Sequence, residues 1–339
     1  MKILIVPDVH GSHEWEVVKE KINEVDKIVF LGDLFDSWEN RWPDQGENFK
    51  NICDFKRNNM DKVVILLGNH DFSYISGTRN GQKVSGHQHG KVLEIRALLT
   101  ANLDIIDLAF EADGWVFSHA GFSKTWVEYM KKVMQTHYTK YPKADRNCFD
   151  SKEEADKYFD ELYKDVIVWD TNQFSVDTLN KCWHELTHIP SDDTFSYAFD
   201  ELLDWHGCFS GSGDEPEQGP LWIRPNSLLE DAYYSNQVVG HTEYCIDNFA
   251  VVTEKNNTIV MTDSQHHSVF GIFDTENPPK AISGNDYSEE FNTKWKTIKK
   301  FTLLFSTLGV DYSDEQKIDL LKEEFGDKTD FFFEKYFKT

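Results

Sequence analysis

Asp8 and His10 sit two residues apart in Pro7-Asp8-Val9-His10-Gly11, and Asp33 and Asp36 sit three apart in Gly32-Asp33-Leu34-Phe35-Asp36. Asn69 and His70 follow in Gly68-Asn69-His70-Asp71, His119 in Ser118-His119-Ala120-Gly121, and His241 in Gly240-His241-Thr242. Carboxylates, imidazoles and an amide are ligands for borderline divalent ions such as Mn²⁺, Fe²⁺ or Zn²⁺, and a set this large suits two of them. Each fragment alone would be ordinary. Asp-x-His can cap a helix, Gly-Asp can turn the chain, and Gly-Asn-His-Asp can close a hairpin. A single histidine is more often a hydrogen-bonded core residue. The conjunction is what points to a site, and the neighbouring glycines permit sharp turns and close backbone approach.

The elements that must position these groups are short apolar runs at 3–6, 28–31, 63–67, 115–117 and 237–239, each ending just before one of the motifs. Helical patterning at 14–24 and 47–58 separates the first three, and buried strands alternating with helices indicate an α/β fold. In open α/β sheets ligands bind at the carboxyl ends of the strands, so all five motifs can converge on one place. Further strands are predicted at 105–108, 250–252, 258–261 and 269–273. The later ones are closely spaced and turn-bounded, which favours antiparallel pairing. The mixture predicts two packed sheets with helices outside.

Residues 150–217 differ in composition, with 18 Asp or Glu against four Lys and no Arg. Helical patterns at 150–169, 177–187 and 195–205 predict an acidic helical insertion over one edge of the sandwich. Its charge reads first as a solvated face and second as a screen against long polyanions. Apolar spacing at 298–308 and 318–325, then 331–333, predicts a helical C-terminal tail packed on the core. The expected organisation is one domain over 1–284, carrying the insertion, and a tail over 285–339.

Composition narrows the partners. Hydrophobic residues are 40% and aromatics 14% of the 339 residues, enough for a sizeable core, which excludes global disorder. The formal charge of −24 opposes broad binding to a phosphate backbone or to anionic lipid. Five scattered cysteines without a C-x-x-C pair predict reduced thiols and a cytoplasmic, soluble protein. The first six residues lack the features of a signal peptide, and no apolar stretch approaches the ~20 residues a membrane span needs.

Taken together, D-x-H, G-D-x-x-D, G-N-H-D, H and G-H resemble the calcineurin-like metallophosphoesterase superfamily over residues 1–121 and about 236–273. The resemblance implies a four-layer α/β/β/α sandwich around a two-metal centre. It implies Asp8, His10 and Asp33 around the first ion, Asp33 bridging, and Asn69, His119 and His241 completing the second. His70 matches the family's catalytic histidine and Asp36 the carboxylate that orients it. Such a centre clamps phosphoryl oxygens between ions ~3.5–4 Å apart and activates a water. His70, beside Asn69, can protonate the leaving group, and Asp36 can fix its tautomer. The ions are expected to be Mn²⁺, with Fe, Zn, Ni or Co as alternatives.

The sequence also departs from the family pattern. Ser37 and Trp38 follow Asp36 where protein serine/threonine phosphatases carry Arg and Gly. Gly240-His241-Thr242-Glu243 lacks the second histidine of G-H-x-H, so Glu243 replaces that ligand or nothing does. His87 and His89 in Gly86-His87-Gln88-His89-Gly90 read as a substrate-facing or exposed loop rather than a displaced copy of it. Gly219-Pro220-Leu221-Trp222-Ile223-Arg224, with Thr262-Asp263-Ser264, resembles the phosphoprotein-phosphatase and diadenosine-polyphosphate hydrolase branch of bacterial and phage type. Arg224 is the candidate phosphate clamp, against a surface salt bridge to the acidic insertion, and Arg41 is the second candidate. Trp38, Trp42 and Tyr74 could stack a base, although core packing is commoner. The expected substrate is a phosphomonoester, small or on a protein. A nucleotide pyrophosphate or cyclic phosphodiester comes next, and a nuclease activity is disfavoured by charge. A non-catalytic phosphate-binding scaffold would have little use for the full residue set.

Overall fold

The computed structural model describes residues 1–37, 40–75, 84, 86–131, 151, 174–187, 214–242, 249–263, 270–279, 282–283 and 313–325. Strands β1 (Lys2–Val6), β2 (Lys27–Phe30), β3 (Val63–Leu66) and β4 (Ile106–Asp107) pair in parallel, and β10 (Gly271–Asp274) joins β1 antiparallel, giving the order β10-β1-β2-β3-β4. The second sheet has the order β11-β8-β9-β7-β6-β5, from β5 (Ala109–Ala112), β6 (Trp115–Ser118), β7 (Asn236–Val239), β8 (Ala250–Glu254), β9 (Asn257–Met261) and β11 (Ile282–Ser283).

Both faces of the first sheet are apolar because both are covered. Ile3, Ile5, Val29, Leu31, Val64 and Leu66 point at Phe117, Val238, Val251 and Val260 of the second sheet. Their neighbours Leu4, Val6, Ile28, Phe30, Val63 and Ile65 point the other way, into a cluster with Trp15, Val18, Phe49 and Ile52. Helix α1 (Asp44–Asn58) supplies Phe49, Ile52, Cys53 and Lys56 to that face at helical spacing. Lys56 buries its stem there and donates from Nζ to the carbonyls of Met60 and Val63. On the far side, Val252, Ile259 and Met261 meet Ile223, Leu228 and Leu229. The layers therefore run helix, sheet, sheet, helix, the expected four-layer α/β/β/α sandwich.

Antiparallel pairing holds for only part of the later chain. β8 pairs antiparallel with β9, but β7 runs parallel to both β6 and β9. The long crossover between β6 and β7 allows a parallel return, and the tight Lys255–Asn256 turn, both residues at positive φ, lets β8 fold back outside β9. The same chemistry at Asp113-Gly114 makes β5 and β6 a hairpin that the sequence reading missed. The helical stretch expected at 14–24 is a 3-10 helix over Glu14–Lys21.

Of the acidic insertion, the described part is helix α4 (Val176–Thr187), numbered after α2 (Asn69–Ile75) and α3 (Val92–Thr100). It covers the edge where β4 and β5 end their sheets. Asn180 bonds the backbone of Leu108 and Ala109, Trp183 donates from Nε1 to the Ile106 carbonyl, and Leu179 and Trp183 are fully buried. The other expected helices of the insertion, at 150–169 and 195–205, lie outside the described residues apart from Ser151. Two short helices follow, α5 (Gly219–Trp222) and α6 (Pro225–Asp231), and α6 packs on β8 and β9 behind the second sheet. The expected tail is represented by helix α7 (Asp314–Phe325), with Leu321 buried; the apolar stretches at 298–308 and 331–333 lie outside the described residues. Among the described residues no helix is long and apolar enough to cross a membrane.

Candidate metal centre

Register brings the motifs to one rim. Val6 pairs with Phe30 and Phe30 with Ile65, so the residues just beyond β1, β2 and β3 emerge side by side. In the second sheet Ser118 pairs with Val239, which sets His119 beside Gly240, one residue before His241. Two bonds stitch the rims together across the sandwich. His119 Nδ1 donates to the Leu31 carbonyl at 2.9 Å, and the His241 backbone N–H donates to Asp8 Oδ1 at 3.1 Å.

The backbone is unusual at these positions. His10, Asp33, Asp36 and His241 all have positive φ, a region costly for residues with a Cβ. Among the described residues the other non-glycine cases are Asp113, Lys255 and Asn256, all in hairpin turns. Strain concentrates where ligands must turn inward. Space is as tight: a Cβ on Gly68 would collide with the backbone nitrogen and Oδ1 of Asp33.

Asp33 lies at the middle. Its Oδ2 is 3.8 Å from His10 Nε2 and 3.9 Å from His70 Nε2, while its Oδ1 is 3.5 Å from His119 Nε2. His241 Nδ1 and His119 Nε2 approach the Asn69 side-chain oxygen to 3.2 and 2.8 Å. Ligand atoms thus form two groups, each within 4.8 Å: His10, Asp33 and His70, and Asp33, His119 and His241. Asp8 belongs to neither; its Oδ1 is 3.9 Å from His119 Nδ1.

The tautomers are fixed from behind. Carbonyl oxygens only accept, so His10 Nδ1 must donate to Phe35, His119 Nδ1 to Leu31 and His241 Nε2 to Trp222. Each ring is then left with its lone pair on the inward nitrogen, the arrangement second-shell partners give to metal-bound histidines. Burial holds the pKa of His119 below, and that of His241 well below, the ordinary imidazole value, which keeps both neutral. With its oxygen inward, Asn69 faces acceptors only; turned over, its nitrogen would lie 3.2 Å from both Asp33 oxygens and 2.8 Å from His119 Nε2. A cluster of lone pairs facing one another is a donor set that a cation satisfies. The residues present fit divalent metal.

Charge is distributed unevenly around the rim. Burial pushes the pKa of Asp8 up to about 7. For His70 burial opposes the imidazolium, but Asp33 and Asp36 outweigh it and hold the pKa up at about 9. Its Nδ1 donates to Asp36 Oδ2 at 2.9 Å. Arg224 stands at the edge, with Nη1 3.4 Å from Thr242 Oγ1 and a buried Nε that has no partner among the described residues. Arg41 is exposed. Trp38, Glu243 and Ser264 lie outside the described residues.

The calcineurin-like phosphoesterase family profile matches residues 1–242. The chain belongs to this family. It is accordingly a metal-dependent phosphoester hydrolase, and centres of this family generally hold two divalent ions. A search among curated proteins finds none that matches. Among solved structures, the chain is similar to a cold-active protein-tyrosine phosphatase of a psychrophilic Shewanella species, at 16% identity and a TM-score of 0.47, covering 80% of this chain and 75% of that one. It is also similar to a metallophosphoesterase from Sphaerobacter thermophilus, at 22% identity and a TM-score of 0.26, covering 36% of this chain and 47% of that one.

Three supporting residues were missed by the sequence reading. Asp71, fully buried, accepts the backbone N–H groups of Leu34 and Gly68 and so ties two motif loops together. Gln45 Oε1 accepts from the backbone of Asp36 and Ser37. Tyr74 is fully buried with its hydroxyl on Asp36, so of the two fates open to it core packing is the one observed, and base stacking is not. Trp42, the other described aromatic of that set, packs against the core. His87 does not approach the metal groups as a displaced ligand; its ring stacks on Tyr74 with centroids 4.4 Å apart.

Proposed function

We propose that the protein hydrolyses phosphate monoesters, with Asp8, His10 and Asp33 at one Mn²⁺ site and Asp33, Asn69, His119 and His241 at the other. The observation that carries this reading is the inward-facing lone-pair set divided between the two oxygens of Asp33. When bound, two divalent ions would polarise the phosphoryl oxygens and acidify a water. The chain's own part is to hold substrate and move a proton. Arg224, with a buried Nε that has no partner among the described residues and lies beside Thr242, suits two parallel bonds to phosphoryl oxygens, and Arg41 is the alternative clamp. His70, protonated and held by Asp36, gives its Nε2 proton to the leaving oxygen.

A specific distance favours a second reading of one residue. His70 Nε2 falls in the group with His10 and Asp33, where Asp8 was expected, so His70 could ligate the first ion.

The test is a metal-stripped protein reloaded with Mn²⁺ and offered p-nitrophenyl phosphate, bis(p-nitrophenyl) phosphate, phosphopeptides, nucleotides, dinucleoside polyphosphates and cyclic nucleotides. Monoester turnover that vanishes in chelator supports the proposal. Preference for a diester or a pyrophosphate would replace the monoesterase reading. Phosphate binding without turnover in Mn²⁺, Fe²⁺, Co²⁺, Ni²⁺ or Zn²⁺ would favour a scaffold.

A further inference from the structure

The Asp36 carboxylate is fully buried and both of its oxygens are in use. Oδ2 takes the Nδ1 proton of His70, and Oδ1 takes the Tyr74 hydroxyl. The direction of the second bond is fixed. The Gln88 backbone N–H donates to the Tyr74 oxygen at 2.7 Å, and an N–H can only donate, so the phenol's proton must go to Asp36. Burial and the Asp36 charge push the phenol pKa far up, and the hydroxyl stays protonated.

Tyr74 is itself clamped. The His87 ring lies on it with planes 13° apart, and Arg96 Nε donates to its carbonyl at 2.7 Å. Ser73 donates its hydroxyl to the His70 carbonyl at 2.7 Å and takes a proton from His87 Nδ1 at 3.2 Å. Gly86 makes the approach possible: its φ is +75°, and a Cβ there would sit 2.9 Å from the Asp36 carbonyl oxygen. The Gly-His-Gln-His stretch thus braces the back of the Asp36–His70 pair.

We propose that Tyr74 is a positioning residue for proton transfer, braced by Gly86–Gln88, which fixes the Asp36 carboxylate so that its other oxygen aims His70 at the leaving group. The inference rests on the reading of His70 as general acid. Without the hydroxyl, Asp36 has a free oxygen and can rotate, and His70 loses its single aligned partner.

Tyr74→Phe keeps the ring and removes one bond to a charged acceptor. We expect it to retain bound metal and its melting temperature within a few degrees. Turnover of an alkyl phosphate such as glycerol 2-phosphate should fall about tenfold, the factor one such bond typically carries. Turnover of p-nitrophenyl phosphate, whose leaving group needs little protonation, should change much less. A purely structural role would slow both substrates alike, and that result, or no change in either, overturns the proposal. Should Tyr74→Phe fold poorly, Gly86→Ala must show the same split, because it displaces the Gln88 donor while leaving the hydroxyl in place. His70→Ala measured alongside separates the two levels. If it splits the substrates and the Tyr74 and Gly86 variants do not, the positioning role alone fails. If His70→Ala slows both equally, the general-acid reading fails and takes this inference with it.

Discussion

Asp33 offers one oxygen to each half of the centre, so its single negative charge would be shared by two cations. Asp33→Asn should cost at least one bound ion together with activity, read by metal analysis of the purified variant. His70→Ala should keep both ions and lower kcat by ~10²–10⁴ on alkyl phosphates, with a smaller loss on aryl phosphates. Loss of metal from His70→Ala would instead assign it as a ligand, as its distance to Asp33 allows. Asp71 carries a different load. Each buried N–H left unpaired costs ~1–3 kcal/mol, so with two of them Asp71→Ala should lower unfolding stability by roughly 2–6 kcal/mol in denaturant titration. The inward-facing histidines and Asp33 were legible because their motifs are local and each follows an apolar run. Tyr74 was not, since its partner Asp36 lies 38 positions away and the phenol looks like any other core aromatic. Asp71 was hidden for a related reason: a carboxylate beside metal motifs reads as part of them, and only geometry shows it bonding backbone.

At the scale of elements, helix α4 protects two strand edges at once. Trp183 fills the gap and donates to β4, while Asn180 answers the open backbone of Leu108 and Ala109. Trp183→Ala should destabilise by ~3–5 kcal/mol through cavity formation plus an orphaned carbonyl. Turnover per folded molecule should survive, because among the described residues α4 packs on β4, β5 and the turn at Leu103–Ile105 rather than on the candidate metal centre; a melting curve and active-fraction kinetics distinguish the two effects. The main strands could be read from their Ile, Val and Leu runs. β5 could not, because Ala109–Ala112 is short and half exposed, and pairing alone makes it a strand. Helix α2 begins at Asn69, within a motif whose glycine and asparagine argue equally for a turn. Parallel pairing of β7 with β9 depends on a strand inserted between them in sequence but not in space, which no local pattern encodes.

For the whole molecule the net charge of −24 sets the approach of substrate. Phosphate esters are anions, so mutual repulsion should slow encounter at low salt. Raising ionic strength from 0.01 to 0.15 M shortens the Debye length from ~30 to ~8 Å, and kcat/KM for a small phosphomonoester should rise. A fall with salt would reveal a local positive path at Arg224 that outweighs the global charge. The architecture carries a further consequence in the order of assembly. Asp8, Asp33 and Asn69 come from one sheet and His119 and His241 from the other, and the bond between Asp8 and His241 closes a separation of 233 residues. The residues proposed for the first ion all lie within the first 33 positions, whereas the second group is incomplete without His241. During synthesis the early motifs would leave the ribosome long before His241, and until it arrives the second group would lack one of its members. Closing so long a loop costs entropy before any contact rewards it. Completion of the second site should therefore come late and tie the two sheets together, and an ion bound there would add RT ln(1 + [M]/Kd) to native stability, ~2.7 kcal/mol at a hundredfold excess over Kd.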